Sequence, residues 1–370
     1  MRRAILLTGA LRTIRKTMRF FKRNVLCAAD RHEVAVFACI QNDTQESEES
    51  WTAWLREEIG PYLLDVTWFS LERFPHWVTQ RDLVLNHLVL SEAWKGYLRN
   101  SGSMIEYYQL QLAYMKMCLT ESVGGFRYDY VIRARTDSIY VKPLDFHWLD
   151  WTAEDVLQRL NAIKKEMVES KLGTEPSEVF RYFMCSLWSD DVIPNLAFIT
   201  AEHVPSPVEA AVPLTAEELR RYLHEGRYIQ TIRKNNLYVV RRDLFHFIPS
   251  LGTMYGFLQS PQADAWWFNA EGQFRDACYY SCLTVFEYSS AFEERSLVYP
   301  SQWVEADFFD VEGEVIHPGW CIVSSDADAS SSTISQRLRR CFTALFASSR
   351  RLPCSQALRP PKADFGIVRR

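Results

Sequence analysis

The chain has 370 residues, of which 48% are hydrophobic, 24% charged and 14% aromatic, and its formal net charge is -4. That much apolar material builds a large core, in one large domain or two intimately packed ones, because single cores divide at about 250 to 300 residues. A weakly negative chain lacks the broad basic footprint of a nucleic-acid binder, and no stretch approaches the ~20 uninterrupted apolar residues that span a bilayer.

Nine cysteines, an odd number, are scattered without paired spacing, which gives neither a disulfide framework nor a zinc pattern. Cys278 and Cys282 stand four apart on an expected helix with no second ligand pair, so buried free thiols in a reducing, cytoplasmic compartment are expected. The opening "MRRAILLTGALRTI" imitates a signal peptide, but its apolar run is short, is broken by Arg12 and is followed by no small-residue cleavage site. It reads as the first core strand.

In chain order, Arg3 to Leu7 is an expected strand, Arg12 to Val25 a helix and "EVAVFACI" (33–40) a second strand. "SEESWTAWLREEIG" reads as a helix ending at Gly60, followed by the strand "LLDVTWFS" and two helical stretches, the second being "IEYYQLQLAYMKMCLTES". Then comes "YDYVIRARTDSIY" (128–140), a strand carrying Arg133, Arg135 and Asp137 at alternate positions. Such alternation of strands and helices specifies an α/β fold with a mostly parallel sheet flanked by helices. Thr152 to Leu172 is an expected amphipathic helix, and Thr215 with Glu218 forms a capping box for "AEELRRYLHEG". The strand "NNLYVVRR" leads into the helix "DLFHFIPSLGTMYGF", which Pro249 interrupts or kinks, and "DAWWFNAEGQFRDACYYSCLTVFEYSS" reads as a helix and then a strand.

After about Ser324 a low-complexity run, "SSDADASSST", precedes an arginine-rich tail with apolar residues at helical spacing. The expected division is therefore 1–324, with halves 1–145 and 146–324, and a basic tail 325–370. The tail either docks on its own domain or stays partly disordered, which is the preferred reading, or forms an interfacial helix making peripheral membrane contact.

In an extended strand Arg133, Arg135 and Asp137 share one face. Three charges on one side of an apolar strand need either mutual pairing or a polar ligand. A structural ion-pair cluster and a binding site are both open readings of the row. The other polar loop at a strand end is "TGALRT", where Gly9 lets the backbone turn closely and the next helix offers free amides with Arg12 in its first turn. Such a loop holds a phosphate or nucleotide, although it is not a Walker loop. His76 and His246 have no partner pattern and read as structural or surface residues.

"RRAILLTGALRT", "IEYYQLQLAYMKM" leading into "YDYVIRARTDSIY", and later "NNLYVVRRDLF" and "WWFNAEGQF" resemble glycosyltransferases of the GT-A type found in large algal viruses and bacterial surface-glycan clusters, over roughly residues 3 to 290. The resemblance implies a GT-A-like fold with an acceptor-side subregion. It also implies an enzyme that moves a sugar from a nucleotide-sugar donor to a glycan acceptor, in the synthesis of surface or viral glycoprotein glycans. It places Thr8, Gly9 and Arg12 at the nucleotide, Arg133, Arg135 and Asp137 on the donor strand, and Tyr108 and Gln109 on the helix beside the donor. Glu271 matches an acidic residue that deprotonates the acceptor hydroxyl if burial raises its pKa; the alternative is a first-turn residue placed for the helix dipole. One of Trp266 and Trp267 stacks on an acceptor sugar and the other belongs to the core. Relatives carry a paired-aspartate metal motif where this chain has Arg135-Thr136-Asp137 and Asp137-Ser138-Ile139, which leaves strict dependence on Mn2+ or Mg2+ at Asp137 open. The alternative function is a catalytically inactive GT-A-fold scaffold that binds glycans or proteins. A phosphohydrolase or nuclease ranks last, because no carboxylates cluster at strand ends.

Overall fold

The computed structural model describes residues 1–11, 14–26, 34–87, 92, 95, 102–140, 143, 144, 146–187, 215–232, 237–246, 274, 277, 278, 281–288 and 321–323. All belong to one compact unit, Met1–Ala327. The expectations for the tail 325–370, and for Arg12, Trp266, Trp267 and Glu271, lie outside the described residues.

Seven strands form one sheet. They are β1 (Arg3–Ala10), β2 (Val34–Gln41), β3 (Leu63–Phe69), β4 (Tyr130–Arg135), β6 (Tyr228–Ile232), β7 (Leu237–Arg241) and β8 (Thr284–Tyr288), in the spatial order β3-β2-β1-β4-β7-β6-β8. β3, β2, β1 and β4 run parallel, β7 is antiparallel to both its neighbours, and β6 and β8 are parallel to each other. A separate short strand, β5 (Ser138–Tyr140), pairs antiparallel with β9 (Cys321–Val323). The expected α/β class, with a mostly parallel sheet between helices, is the one observed.

Both faces of the sheet are covered because the central strands are apolar throughout; six of the eight β1 residues are buried. On one face Ile5, Leu7, Val36 and Ile132 meet α1 (Ile14–Phe21), α2 (Glu48–Ile59), α5 (Ala153–Glu169), α6 (Pro176–Cys185) and α7 (Ala216–Glu225). On the other, Ala4, Leu6, Phe37 and Val131 meet α3 (Pro75–His87), α4 (Gly102–Gly124) and the short turn α8 (Arg242–Phe245). Handedness explains this division. The chain steps outward from β1 to β3 with its helices on the first face, so the return from β3 to β4 must carry α3 and α4 over the second.

The expected bounds hold within a few residues for β1 to β3, for the start of β4 and for α2, α4 and α5. Both Thr152–Asp155 and Thr215–Glu218 form capping boxes. Three features differ from expectation. The segment after Arg135 does not continue the strand: Thr136 and Asp137 form a turn, and β5 joins β9 instead. Cys282 stands in a turn with φ of 54° and is not on the helix that holds Cys278. Finally, β6 carries Gln230 and Thr231 in the interior, which hides its strand pattern; Gln230 Nε2 satisfies itself on the Met184 carbonyl at 3.1 Å.

Across the second face, Arg242 Nε and a terminal NH2 donate to the two Glu121 oxygens at 2.8 and 2.7 Å, with both side chains more than nine-tenths buried. This pair ties the end of α4 to the end of β7. Removing one partner leaves an uncompensated buried charge, so Glu121→Ala should destabilise the fold by about 3–5 kcal/mol. Urea unfolding checks this as a lower midpoint at unchanged slope.

Candidate functional site

From β1 the chain continues to β2 on one side and from β4 to strands on the other, so the carboxyl ends of these neighbouring strands form the topological switch point of the sheet. Open α/β sheets bind their ligands at such points. β1 and β4 are in direct register from Arg3↔Tyr130 to Thr8↔Arg135, so the Gly9 loop and the turn after Arg135 emerge side by side. The two loops that the sequence singled out are thus one structural feature.

Thr136 fastens them together. Its amide donates to the Thr8 carbonyl at 3.1 Å and its hydroxyl to the Ala10 carbonyl at 2.6 Å, while its own carbonyl accepts from the Thr17 hydroxyl of α1 at 2.6 Å. Gly9 has a φ of 138°, and a Cβ placed on it would collide with the Thr136 hydroxyl. Both backbone conformation and close approach therefore require glycine. From the α4 side Gln109 Nε2 donates to the Gly9 carbonyl at 3.1 Å. The Arg135 amide donates to the Tyr140 hydroxyl at 2.9 Å, and Asn24 Nδ2 donates to the Tyr140 carbonyl. The backbone of both loops is held from three elements.

Among the described residues four charges stand on this frame. Arg135 grips Asp137 bidentately, Nε to Oδ1 at 2.8 Å and a terminal NH2 to Oδ2 at 2.9 Å. Glu106, one turn before Gln109 on α4, pairs closely with Arg133 and lies 3.5 Å from Arg135 NH1. Arg133 and Asp137 are sealed, with side chains 2% and 7% exposed, whereas Arg135 keeps 24% of its surface open and Glu106 19%. Burial alone would push the Arg135 guanidinium down, but the Asp137 and Glu106 carboxylates outweigh it and hold the group charged, above its ordinary value. Two fully buried hydroxyls near this frame, those of Thr8 and Ser138, have no hydrogen-bond partner among the described residues. Thr8 shares the sheet face of Arg135, its register partner.

Thr8, Gly9, Gln109, Arg135 and Asp137 thus come together at the strand ends. Arg133 stands on the same side but inside, where it anchors Glu106 and is not open to a ligand. The shared face of Arg135 and Asp137 comes from the turn at Thr136 and Asp137, not from strand alternation. Tyr108 packs in a ring cluster, stacked on Trp77 and bonded to His76 Nε2 at 2.9 Å; His76 has the partner that its sequence context did not suggest. Glu106 was missed by sequence reasoning, although an acid and a glutamine three apart on the inward face of an apolar helix are a legible signal.

No protein-family model and no curated protein matches the chain. Among solved structures it is similar to core-mannan synthase A from Aspergillus fumigatus in its Mn/GDP form, at 10% identity and a TM-score of 0.30 over 76% of this chain and 72% of that one. It is similar also to two structures of the mannosyltransferase Ktr4p from S. cerevisiae, one at 11% identity and a TM-score of 0.27 and one in complex with GDP at 9% and 0.28. This chain spans 65% and 66% of those two chains. A likeness at this level assigns neither activity nor ligand.

A resident Mn2+ or Mg2+ needs several oxygen ligands with free lone pairs. Among the described residues no three His, Cys, Asp or Glu side chains gather to hold a metal, and both Asp137 oxygens already face Arg135. The described residues do not fit that ion.

Gly9→Ala should destabilise by about 1–3 kcal/mol, from the forced backbone conformation and the clash together. Adding Thr136→Ala should relieve the clash, so that in urea denaturation the double variant loses less than the sum of the two single changes.

Proposed function

We propose that the chain is a glycosyltransferase that takes a sugar from a nucleotide-sugar donor and passes it to a glycan hydroxyl. The observation that carries this reading is the docking of the Arg135–Asp137 turn on the Gly9 turn at the switch point between β1 and β4. A diphosphate needs backbone that comes close and a cation held in place, and both occur on this edge. The similarity of its motifs to GT-A-type enzymes adds the substrate class. In this reading 1–145 forms the nucleotide half and 146–324 the acceptor half.

Thr8, Gly9 and Arg12 border the nucleotide, with Gln109 fixing the Gly9 carbonyl from behind and Tyr108 bracing that helix. Arg135, aimed by Asp137, faces the diphosphate. Glu271 accepts the proton of the acceptor hydroxyl as the acceptor oxygen bonds to the anomeric carbon. The bond from that carbon to the phosphate oxygen breaks, and the departing nucleoside diphosphate carries the negative charge that Arg135 stabilises. Trp266 or Trp267 stacks on the acceptor sugar.

A second reading, a non-catalytic scaffold of the same fold, is favoured by the internal pairing of the four charges. A transfer and hydrolysis screen over nucleotide sugars separates the two. The enzyme reading expects turnover of at least one donor, lowered about 10²- to 10⁴-fold by Glu271→Gln. A folded chain that neither binds nor turns over any nucleotide sugar is the scaffold.

A further inference from the structure

We propose that Asp137 is the clamp that aims Arg135 and not a metal ligand, and that the Arg135 guanidinium takes the electrostatic place of a divalent ion, so that a nucleoside diphosphate binds here without metal. The inference rests on the donor reading above and specifies how that site handles charge.

Three observations carry it. First, Asp137 offers Arg135 both oxygens at 2.8 and 2.9 Å from a side chain that is 7% exposed, so an arriving cation would have to strip away a guanidinium already seated there. The next carboxylate, Glu106, is taken by Arg133. A divalent ion between two guanidinium groups meets like charge on both sides. Second, the clamp uses Nε and one NH2 of Arg135, whereas NH1, among the described residues, has the longer 3.5 Å approach to Glu106. Among the described charges of the cluster, Arg135 is the more open cation, and a guanidinium fixed along one edge presents its remaining donors in a geometry that matches phosphate oxygens. Third, the Thr8 hydroxyl is buried on the same sheet face with no partner among the described residues. A buried hydroxyl without a partner is unfavourable, and a phosphate oxygen at this edge would satisfy it.

Arg133 has a separate task. Sealed against Glu106 and lying 6.0 Å from the Tyr238 ring, it holds the α4 carboxylate so that Glu106 backs Arg135 from a fixed place.

The test titrates UDP, GDP and CDP calorimetrically into the full chain, once with EDTA and once with Mn2+. For the nucleotide that binds, affinities in the two buffers should agree within about threefold. Arg135→Gln should weaken binding about tenfold or more in both buffers, as expected for the loss of a charge-assisted hydrogen bond, and Arg135→Lys should recover part of it. Asp137→Asn should weaken binding by the same factor with EDTA as with Mn2+, because the residue acts through Arg135. Thermal melts of each variant identify any that fail to fold, and the wild-type comparison of buffers stands without them. Binding by the wild type only with Mn2+, or an Asp137→Asn loss confined to the Mn2+ buffer, overturns the proposal. Absence of binding in both buffers removes the donor reading and this inference with it.

Discussion

The site depends on the Thr136 clasp. One residue gives its amide to Thr8, its hydroxyl to Ala10 and its carbonyl to Thr17, and so fixes the end of β4 against the loop and helix that follow β1. Parallel register alone would bring the two strand ends near each other. The clasp goes further by setting the turn that swings Asp137 back under Arg135, and it fits only because Gly9 has no side chain. Sequence, loop conformation and charge placement are coupled at that contact.

Electrostatics then decides what the edge does. Four charged side chains beside an apolar sheet carry a large desolvation penalty unless they are paired with good geometry. The bidentate Arg135–Asp137 grip and the close Arg133–Glu106 pair meet that condition. Pairing also divides the two arginines by role: the inner one is structural, and the outer one is charged, oriented and partly open. Of the two readings of the "RARTD" row, the ion-pair cluster is observed; the ligand site is the proposal made for Arg135.

The fold was largely legible because its central strands are long, apolar and separated by helices with clear starts. "RRAILL", "EVAVFACI" and "YVIRAR" carry the pattern, and the serine and threonine caps at Ser47, Thr152 and Thr215 mark where helices begin. Legibility fails where tertiary contacts override local pattern. β6 was missed because Gln230 spends its amide on a carbonyl from another element. The break after Arg135 was missed because charge alternation mimics a strand, although Thr136 and Asp137 are turn residues. At the candidate site, Gly9, Gln109, Arg135 and Asp137 were singled out from sequence and the structure brings them together, while the burial of Arg133 and the pairing of Glu106 depend on a helix 27 residues away packing across the strand.

Hydrogen exchange measured by mass spectrometry, with and without a saturating nucleoside diphosphate, tests most directly whether this edge is where the nucleotide sits. The account predicts slowed exchange concentrated in peptides covering 6–17 and 132–140, with α4 near Gln109 affected next. Ligand binding that protects neither of the first two segments would contradict it.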